Sequence, residues 1–473
     1  MMLLPACVED WIGPEHPARF VREFVETLDL KALGLDTVGE EGGEAYAPRL
    51  LLSAWLYGYQ RRVRSTRALE RGCVEEMGLI WLTGNRRPDH NTLWRFWHAH
   101  QAGVRALFRQ SVRVAMELNL VGLVLEAVDG TKIQAACSGR GSYDQAGLEK
   151  LLARLDAELS VREESIAQAG AGEAQERAQL PGPLQERLQL RERVQVALAK
   201  VRAGEARHVH PSEPEARRME TEGRNRFSYN AQAVINQQAG ILVAAEVTTD
   251  PIDQNQLGAM LRQARTETPA PAHTLADNGY VLSDQLAEAR ASSQQIIAPP
   301  PANGSDQTNP YHASHFKHDV ATRTVTCPQG RQLPYRFTRD KEGRKVEVYR
   351  SVKVCHDCPV RAQCSGDRHG RLIEIVPHHA ELVALRARWA EPALRKLYQR
   401  RAALIEPVFA CIKQIEGFRR WTARGWENAR TQWAMLCTTW NLRILRRFWS
   451  SRAPHSPLAV ARTASFHGFV PAA

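Results

Sequence analysis

No apolar run in this 473-residue sequence approaches the length of a membrane-spanning helix, which needs about 18 residues. The first residues, MMLLPACVEDWIG, lack the basic segment and the long apolar core of a secretory signal. Cysteine is sparse at nine residues, and a large chain without such a signal uses cysteines as thiols or metal ligands rather than as a disulfide scaffold. We therefore expect a cytoplasmic protein with no membrane partner.

Acidic residues are fewer than basic ones, with 52 Asp and Glu against 63 Lys and Arg, and the formal net charge is +11. The isoelectric point is near 9.4. This balance favours a polyanionic partner, and nucleic acid is the first candidate. The rest of the composition is typical of a globular protein, and the length allows several domains and a large core.

Helical spacing of apolar residues dominates the first 121 residues, most densely over Tyr46–Val121. Arginines gather at the predicted helix ends and loops of this block: Arg61, Arg62, Arg64, Arg67, Arg86 and Arg87. A solvated basic face on an ordinary helical bundle is one interpretation. Helix ends and loops are where proteins meet phosphates, so the pattern favours a DNA-binding domain.

Two apolar stretches further on each end in an aspartate that is followed closely by glycine. LVLEAVDGTKI reads as a buried strand ending in Asp129, and HTLADNGY reads as a short strand ending in Asp277. Acidic alternatives lie nearby: Glu126 is inside the first strand, and Asp250 and Asp253 follow another strand, with Asp253 as the first substitute.

A third acid lies in the stretch Leu404–Trp421. On a helical wheel its apolar face consists of Ile405, Val408, Phe409, Ile412, Ile415 and Phe418. The opposite stripe carries Glu406, Ala410, Lys413, Gly417 and Arg420. Pro407 either starts or kinks this helix, so Glu406 is a cap or a mid-helix residue. Three carboxylates from these stretches suit two divalent metals about 3.5–4 Å apart and in-line phosphoryl transfer.

The order of predicted strands and helices implies a mixed α/β fold whose sheet has helices on both faces. The predicted parts are a helical DNA-binding domain (1–121), a core in two pieces (122–146 and 205–298), a helical-hairpin insertion (147–204), a Cys-rich insertion (299–379), a C-terminal helical part of the core carrying Glu406 (380–449) and a flexible tail (450–473).

The Cys-rich insertion has the spacing of a metal knuckle. CHDCPVRAQC places Cys355, Cys358 and Cys364 close together, and Cys327 lies upstream in CPQG. Four soft ligands split in this way fit a structural tetrahedral zinc site, with His356 as an alternative ligand. Buried free thiols are the other interpretation.

These pieces together resemble the bacterial insertion-sequence transposases of the DDE class, whose catalytic core is RNase H-like. The resemblance covers roughly residues 10–448. It rests on YAPRLLLSAWLYGY, AVDGTKIQAACS, YNAQAVIN, VAAEVTTDPIDQNQL, LADNGY, CHDCPVRAQC and IEPVFACIKQIEGFRRWTARG, in that order. Each string alone is weak, but their order is specific.

The resemblance implies that Asp129, Asp277 and Glu406 ligate two Mg²⁺ or Mn²⁺ ions in an enzyme that cuts transposon ends and joins them to target DNA. Lys413 matches a cation that such enzymes place against DNA phosphate. Tyr398 and Arg401 lie one residue further from Glu406 than the family's Tyr and Arg do, with Ala402 at the Arg position, so neither is assigned.

The cations assigned to DNA are Lys413, Arg419, Arg420, Lys132, Arg61, Arg62 and Arg64. The expected partners are double-stranded terminal inverted repeats and target DNA, held by a homodimer at the nucleoid. A transposase-derived DNA-binding protein without catalysis is the alternative function, and an RNase H-like nuclease without strand transfer is a third. Trp433 and Trp440, seven residues apart on an apolar helix, and Tyr280 are expected to pack in the core rather than stack on bases.

Overall fold

The computed structural model describes residues 7–36, 46–139, 141–169, 182–301, 309–341 and 343–450. Within these ranges the protein is mixed α/β with two separate sheets, which confirms the mixed α/β part of the predicted fold class. The predicted flexible tail beyond residue 450 and the turn of the predicted helical hairpin at 170–181 lie outside the described residues.

The N-terminal part is helical throughout its described length. Its helices are α1 (Pro17–Thr27), α2 (Pro48–Gln60), α3 (Thr66–Glu75), α4 (Met77–Thr83), α5 (His90–Ala99) and α6 (Gln101–Glu117). Local sequence sets their ends. Ser65 caps α3 by accepting a hydrogen bond from the amide of Ala68 at 3.3 Å, and Asp89 caps α5 through the amide of Thr92 at 2.6 Å. Gly84 ends α4 in the left-handed conformation.

The middle of the chain builds the main sheet. Its elements are β1 (Leu125–Gln134), α7 (Gln145–Ala169), α8 (Gly182–Arg202), β2 (Arg217–Thr221), β3 (Arg224–Asn236), β4 (Leu242–Thr248), α9 (Leu257–Arg265), β5 (His273–Leu275), α10 (Ser283–Ala291) and β6 (Gln295–Ile297). β1 is antiparallel to β3 and parallel to β5, and β6 continues parallel beyond β5. β2 and β4 both pair with the outer edge of β3. The sheet is therefore half antiparallel and half parallel, and β1 lies where the two halves meet.

α7 and α8 pack against each other around a small apolar cluster of their own. Leu148 and Leu155 on α7 meet Val194 and Leu198 on α8, and all four are buried. The described residues between β1 and β2 therefore include a pair of helices with a core of their own.

The C-terminal part contains a second sheet and the last helices. Its elements are β7 (Lys317–Asp319), β8 (Thr324–Thr326), β9 (Gln332–Lys341), β10 (Arg344–Tyr349), α11 (Val352–His356), α12 (Arg361–Cys364), β11 (Ile373–Ile375), α13 (His379–Ala390), α14 (Pro392–Tyr398), α15 (Arg400–Ala410) and α16 (Trp426–Ser450). The five strands are antiparallel in the order β11-β10-β9-β8-β7. They bury a separate core that includes Phe316, Val325 and Tyr349. The Cys-rich segment is thus a small β-structure, which the sequence patterns did not predict.

The predicted helix at Leu404–Trp421 is split in the structure. Pro407 lies inside α15, so Glu406 is a mid-helix residue and not a cap. A π-helical turn comes next, at Cys411–Ile415. The predicted apolar face is buried, except that Ile415 is 61% exposed. The wheel placed Ile415 wrongly because a π turn adds a residue and rotates the later side chains away from the α-helical phase.

α16 completes the main core. It packs against α6 and β4, and Trp433 is fully buried on it, as expected of a packing residue. The indole nitrogen of Trp433 donates to the carbonyl of Gln232 on β3 at 2.8 Å. Trp440 lies partly buried against the same core. In the part of the chain that the structure describes, no helix is long and apolar enough to cross a membrane.

Candidate active site

Strand register brings Asp129 and Asp277 together. β1 and β5 are parallel, with Ala127 opposite Leu275 as their last pair. Each aspartate lies two residues beyond that pair, and residues two apart on a strand share a face. β1 continues to Gln134, so Asp129 lies in mid-strand and not at a strand end as the sequence suggested. β5 ends at Leu275, so both carboxylates lie just beyond the last residue pair of β1 and β5.

Local hydrogen bonds fix both acids. An oxygen of Asp277 accepts from the amide of Gly279 at 2.9 Å, which caps the short turn Asn278–Tyr280. An oxygen of Asp129 accepts from the amide of Gly130, also at 2.9 Å. A glycine one or two residues after each acid therefore donates its amide to that acid.

Arg401, on α15, binds both carboxylates. Its Nη2 lies 2.8 Å from Asp129 Oδ1 and 3.7 Å from Asp277 Oδ2. Tyr398, one turn earlier, also interacts with the guanidinium. The shared contact shows that the two acids converge on one cationic group. Sequence reasoning noticed Arg401 but left it out of the site, because its distance from Glu406 differs by one residue from the family pattern.

The surroundings of Asp129 disfavour its charge. Burial raises the pKa of Asp129 to about 6, while Arg401 and the Gly130 amide act in the opposite direction. The negative charges of Asp277 and Asp253 raise this pKa further. A cation that binds Asp129 therefore stabilises the charged form of this carboxylate.

Asp253 lies beside the pair in a hydrogen-bond network. Its carboxylate accepts from Lys132 at 2.9 Å, from Asn230 at 2.7 Å and from Gln232 at 2.7 Å. A Cβ at Gly130 would lie 2.2 Å from Gln232 Nε2 and 2.9 Å from Asp253 Oδ1, so a larger residue there would displace this network. The oxygens of Asp253 are occupied by donors of the sheet, which gives it a structural role next to the acid pair.

The other acidic alternatives are also occupied by structural partners. Glu126 is buried, forms an ion pair with Arg265 and accepts from the hydroxyl of Thr274 at 2.8 Å. Asp250 accepts from the amide nitrogen of Gln256 at 3.1 Å. Neither belongs to the Asp129–Asp277 pair. Tyr280, as expected, is a packing residue: it is fully buried, and its hydroxyl donates to Gln232.

Glu406 lies on the exposed side of α15. Among the residues that the structure describes, no three His, Cys, Asp or Glu side chains come together to hold one metal ion. The predicted triad is therefore assembled in part: Asp129 and Asp277 converge, and Glu406 is outside the pair. Five residues along α15 separate it from Arg401, which corresponds to about 7.5 Å along the helix axis and about 140° around it.

Several cations assigned to DNA are held by the protein itself. Lys413 donates to the carbonyl of Lys132 at 3.0 Å, and Lys132 is paired with Asp253. Arg420 donates to the carbonyls of Ala135 and Cys137 at 3.3 and 3.0 Å. Arg419 is about half exposed and lies 3.7 Å from Glu222. These contacts fasten the segment after α15 to β1, close to the acid pair.

The basic cluster near α3 divides into exposed and buried members. Arg61 and Arg62 are exposed, Arg61 lies 3.8 Å from Glu76, and their assignment to DNA stays a prediction. Arg64 is not exposed: its side chain is 8% accessible and forms an ion pair with Glu416 at 2.7 Å. Arg64 also donates to the Glu416 carbonyl at 2.9 Å. A side chain paired in this way does not face a phosphate, and the expectation for Arg64 is corrected accordingly.

The four cysteines of the second sheet line one pocket. Cys327, Cys355, Cys358 and Cys364 all border it. Arg331 ties their two loops together by donating to the carbonyls of Val354 and Asp357. The thiols are free, and in the described ranges they do not form a group close enough to ligate a metal.

Comparison with known proteins gives two matches, both to transposase families. A family model described as Transposase DDE domain matches residues 326–446, and one described as Transposase domain (DUF772) matches residues 6–99. No curated protein and no solved structure gives a significant match. The first match spans Arg401, Glu406 and Lys413, whereas Asp129 and Asp277 lie between the two matched segments.

Both matched segments, one on each side of the Asp129–Asp277 pair in the sequence, are named for transposases, and the class they indicate is that of a DNA-transposing protein. These two family models support an insertion-sequence transposase of the DDE class, with DNA transposition as its function. Membership in this class implies an enzyme that cuts and joins DNA strands.

Proposed function

We propose that this transposase cuts the ends of its element and joins them to target DNA by metal-dependent phosphoryl transfer at the Asp129–Asp277 pair. The observation that carries the proposal is the convergence of both carboxylates on one guanidinium at the point where β1 and β5 part. Carboxylate oxygens are the hard ligands that Mg²⁺ and Mn²⁺ prefer, so the pair fits a divalent ion. Bound metals would activate the attacking oxygen and stabilise the leaving 3′-oxygen.

In this proposal the protein's own residues position the reaction. The Gly130 and Gly279 amides orient the two acids. Glu406 is proposed as the third carboxylate; because it lies about 140° around α15 from Arg401, it joins the pair only when α15 rotates. The sheet from β1 to β6, with its antiparallel half and its parallel half, serves as an RNase H-like core.

DNA contacts in the proposal come from cations on two sides of the acid pair. Arg61 and Arg62 are exposed at the end of α2 and meet phosphates of the terminal repeats. Arg419, beside the π turn and about half exposed, approaches the strand that is cut, and Lys413 holds this segment against β1 through the Lys132 carbonyl. A homodimer holds both ends of the element, and the protein acts at the nucleoid.

The test is cleavage and joining of duplex DNA that carries the ends flanking the gene. Wild type, Asp129→Asn, Asp277→Asn and Glu406→Gln are compared in Mg²⁺ and in Mn²⁺. We expect cuts at the element boundary in wild type and none in the three variants, with end binding retained. Asp284→Asn is the matched control, because Asp284 lies partly exposed at the start of α10 and its substitution is expected to leave cleavage unchanged. Wild-type cleavage by any of the three variants removes that residue from the site.

Zinc binding by the four cysteines stays a prediction. Its support is their common pocket, in which Arg331 joins the loop of Cys327 to that of Cys355 and Cys358. Elemental analysis of protein purified without chelator is expected to give about one zinc per chain, as one tetrahedral site requires. A value near zero favours free thiols.

A further inference from the structure

Arg401 is the group that occupies the acid pair. Its side chain is largely buried, and one terminal nitrogen, Nη2, serves both Asp129 and Asp277. A guanidinium carries its positive charge where the two carboxylates would otherwise repel each other. The position between the two acids therefore already holds a cation, which is the guanidinium of Arg401.

The Arg401 guanidinium is incompletely satisfied in this position. Its Nε is buried and has no hydrogen-bond partner among the described residues. A buried donor without an acceptor costs free energy, so this placement is held by the two carboxylates and is not favoured by all of its surroundings. A guanidinium with a free donor can exchange its carboxylate partners for a phosphate, because a phosphate accepts two parallel hydrogen bonds from it.

The helix that carries Arg401 is bounded by two irregularities. Gln399 separates α14 from α15, and Pro407 with the π turn Cys411–Ile415 lies on the other side. Proline removes a backbone donor from the helix, and π turns recur where helices change register. Arg401 and Glu406 thus lie on one short segment whose ends deviate from regular α-helix.

We propose that Arg401 is a latch: its guanidinium and a divalent metal ion are mutually exclusive partners of Asp129 and Asp277. This inference rests on the proposed function of the same acid pair and adds to it a control on metal entry. A metal ion that binds both carboxylates must displace the guanidinium, and the phosphate of bound DNA is the anion that receives it. Metal affinity and DNA affinity are then coupled through Arg401, because each binding event favours the other.

The test is Mn²⁺ affinity, measured on the full chain without DNA by electron paramagnetic resonance of free Mn²⁺. Arg401→Gln removes the competing charge and is expected to bind Mn²⁺ about tenfold more tightly than wild type, as the loss of a charged hydrogen bond implies. Arg400→Gln is the matched control, since Arg400 is the exposed neighbour on the same helix, and it is expected to match wild type. The tighter binding is expected to disappear in Arg401→Gln combined with Asp277→Asn.

Unchanged or weaker Mn²⁺ binding by Arg401→Gln overturns the latch, because it shows that Arg401 supports metal binding or is irrelevant to it. Arg401→Lys keeps the positive charge but replaces the planar fork by a single ammonium group, so its Mn²⁺ affinity is expected to lie between those of wild type and Arg401→Gln. Affinity below wild type contradicts the proposal. Failure of the proposed function looks different: Mn²⁺ binding in wild type is then insensitive to Asp277→Asn, whatever Arg401 does.

Discussion

Replacing Arg64 by methionine is expected to destabilise the protein through Glu416. The two side chains are 8% and 4% accessible, and Arg64 makes hydrogen bonds of 2.7 Å to the Glu416 carboxylate and 2.9 Å to its backbone carbonyl. Removing one partner of a buried ion pair costs about 3–5 kcal/mol. Arg443 on α16 remains paired with Glu416, so we expect the lower end, about 3 kcal/mol.

The assay is urea unfolding followed by tryptophan fluorescence. The control is Arg67→Met, an exposed arginine of the same cluster, for which we expect a change within about 0.5 kcal/mol. Glu416→Gln is expected to be more damaging than Arg64→Met, because it leaves the cations of Arg64 and Arg443 without their common anion. A loss below about 1 kcal/mol for Arg64→Met refutes the assignment of Arg64 to the fold and returns it to the candidate DNA surface.

Two further outcomes separate surface roles from core roles. The double variant Arg61→Gln, Arg62→Gln is expected to bind DNA more weakly and to lower the slope of log affinity against log salt by about 1.8, at about 0.9 per phosphate contact. The control Arg154→Gln, at an exposed position on α7, is expected to leave that slope unchanged. An unaltered slope in the double variant shows that other residues contact the DNA phosphates. Trp433→Phe is expected to lower the free energy of unfolding by about 2 kcal/mol, because it removes a hydrogen bond and leaves a cavity. Trp94→Phe is the control, since Trp94 is 51% exposed, and it is expected to be nearly neutral. Equal effects of the two substitutions contradict the packing role of Trp433.

The sequence was sufficient for the parts of the site that depend on local pattern. The apolar runs before Asp129 and Asp277 mark strands β1 and β5, so each acid could be placed beside a strand of the sheet. Their pairing in register, Ala127 against Leu275, needed the three-dimensional structure, since nothing local fixes which residues of two short strands lie opposite each other.

The features that sequence missed are contacts between distant segments. Arg64 and Glu416 are 352 residues apart, so a count of arginines near α3 cannot distinguish the buried one from its exposed neighbours. Arg401 joins the site through contacts from α15 to β1 and to the turn after β5. The second sheet escaped prediction because several of its strands are three residues long and carry polar side chains, as in Lys317–Asp319.

The central claim is that a divalent metal binds between Asp129 and Asp277, and iron-directed cutting of the polypeptide tests it most directly. Fe²⁺ replaces Mg²⁺ at the site, and ascorbate with peroxide then produces radicals that cut the chain next to the bound ion. We predict fragments that end near residues 129 and 277, suppressed by excess Mg²⁺ and absent in Asp277→Asn but present in Asp284→Asn. Cuts elsewhere, or cuts near these positions that survive Asp277→Asn, contradict the claim.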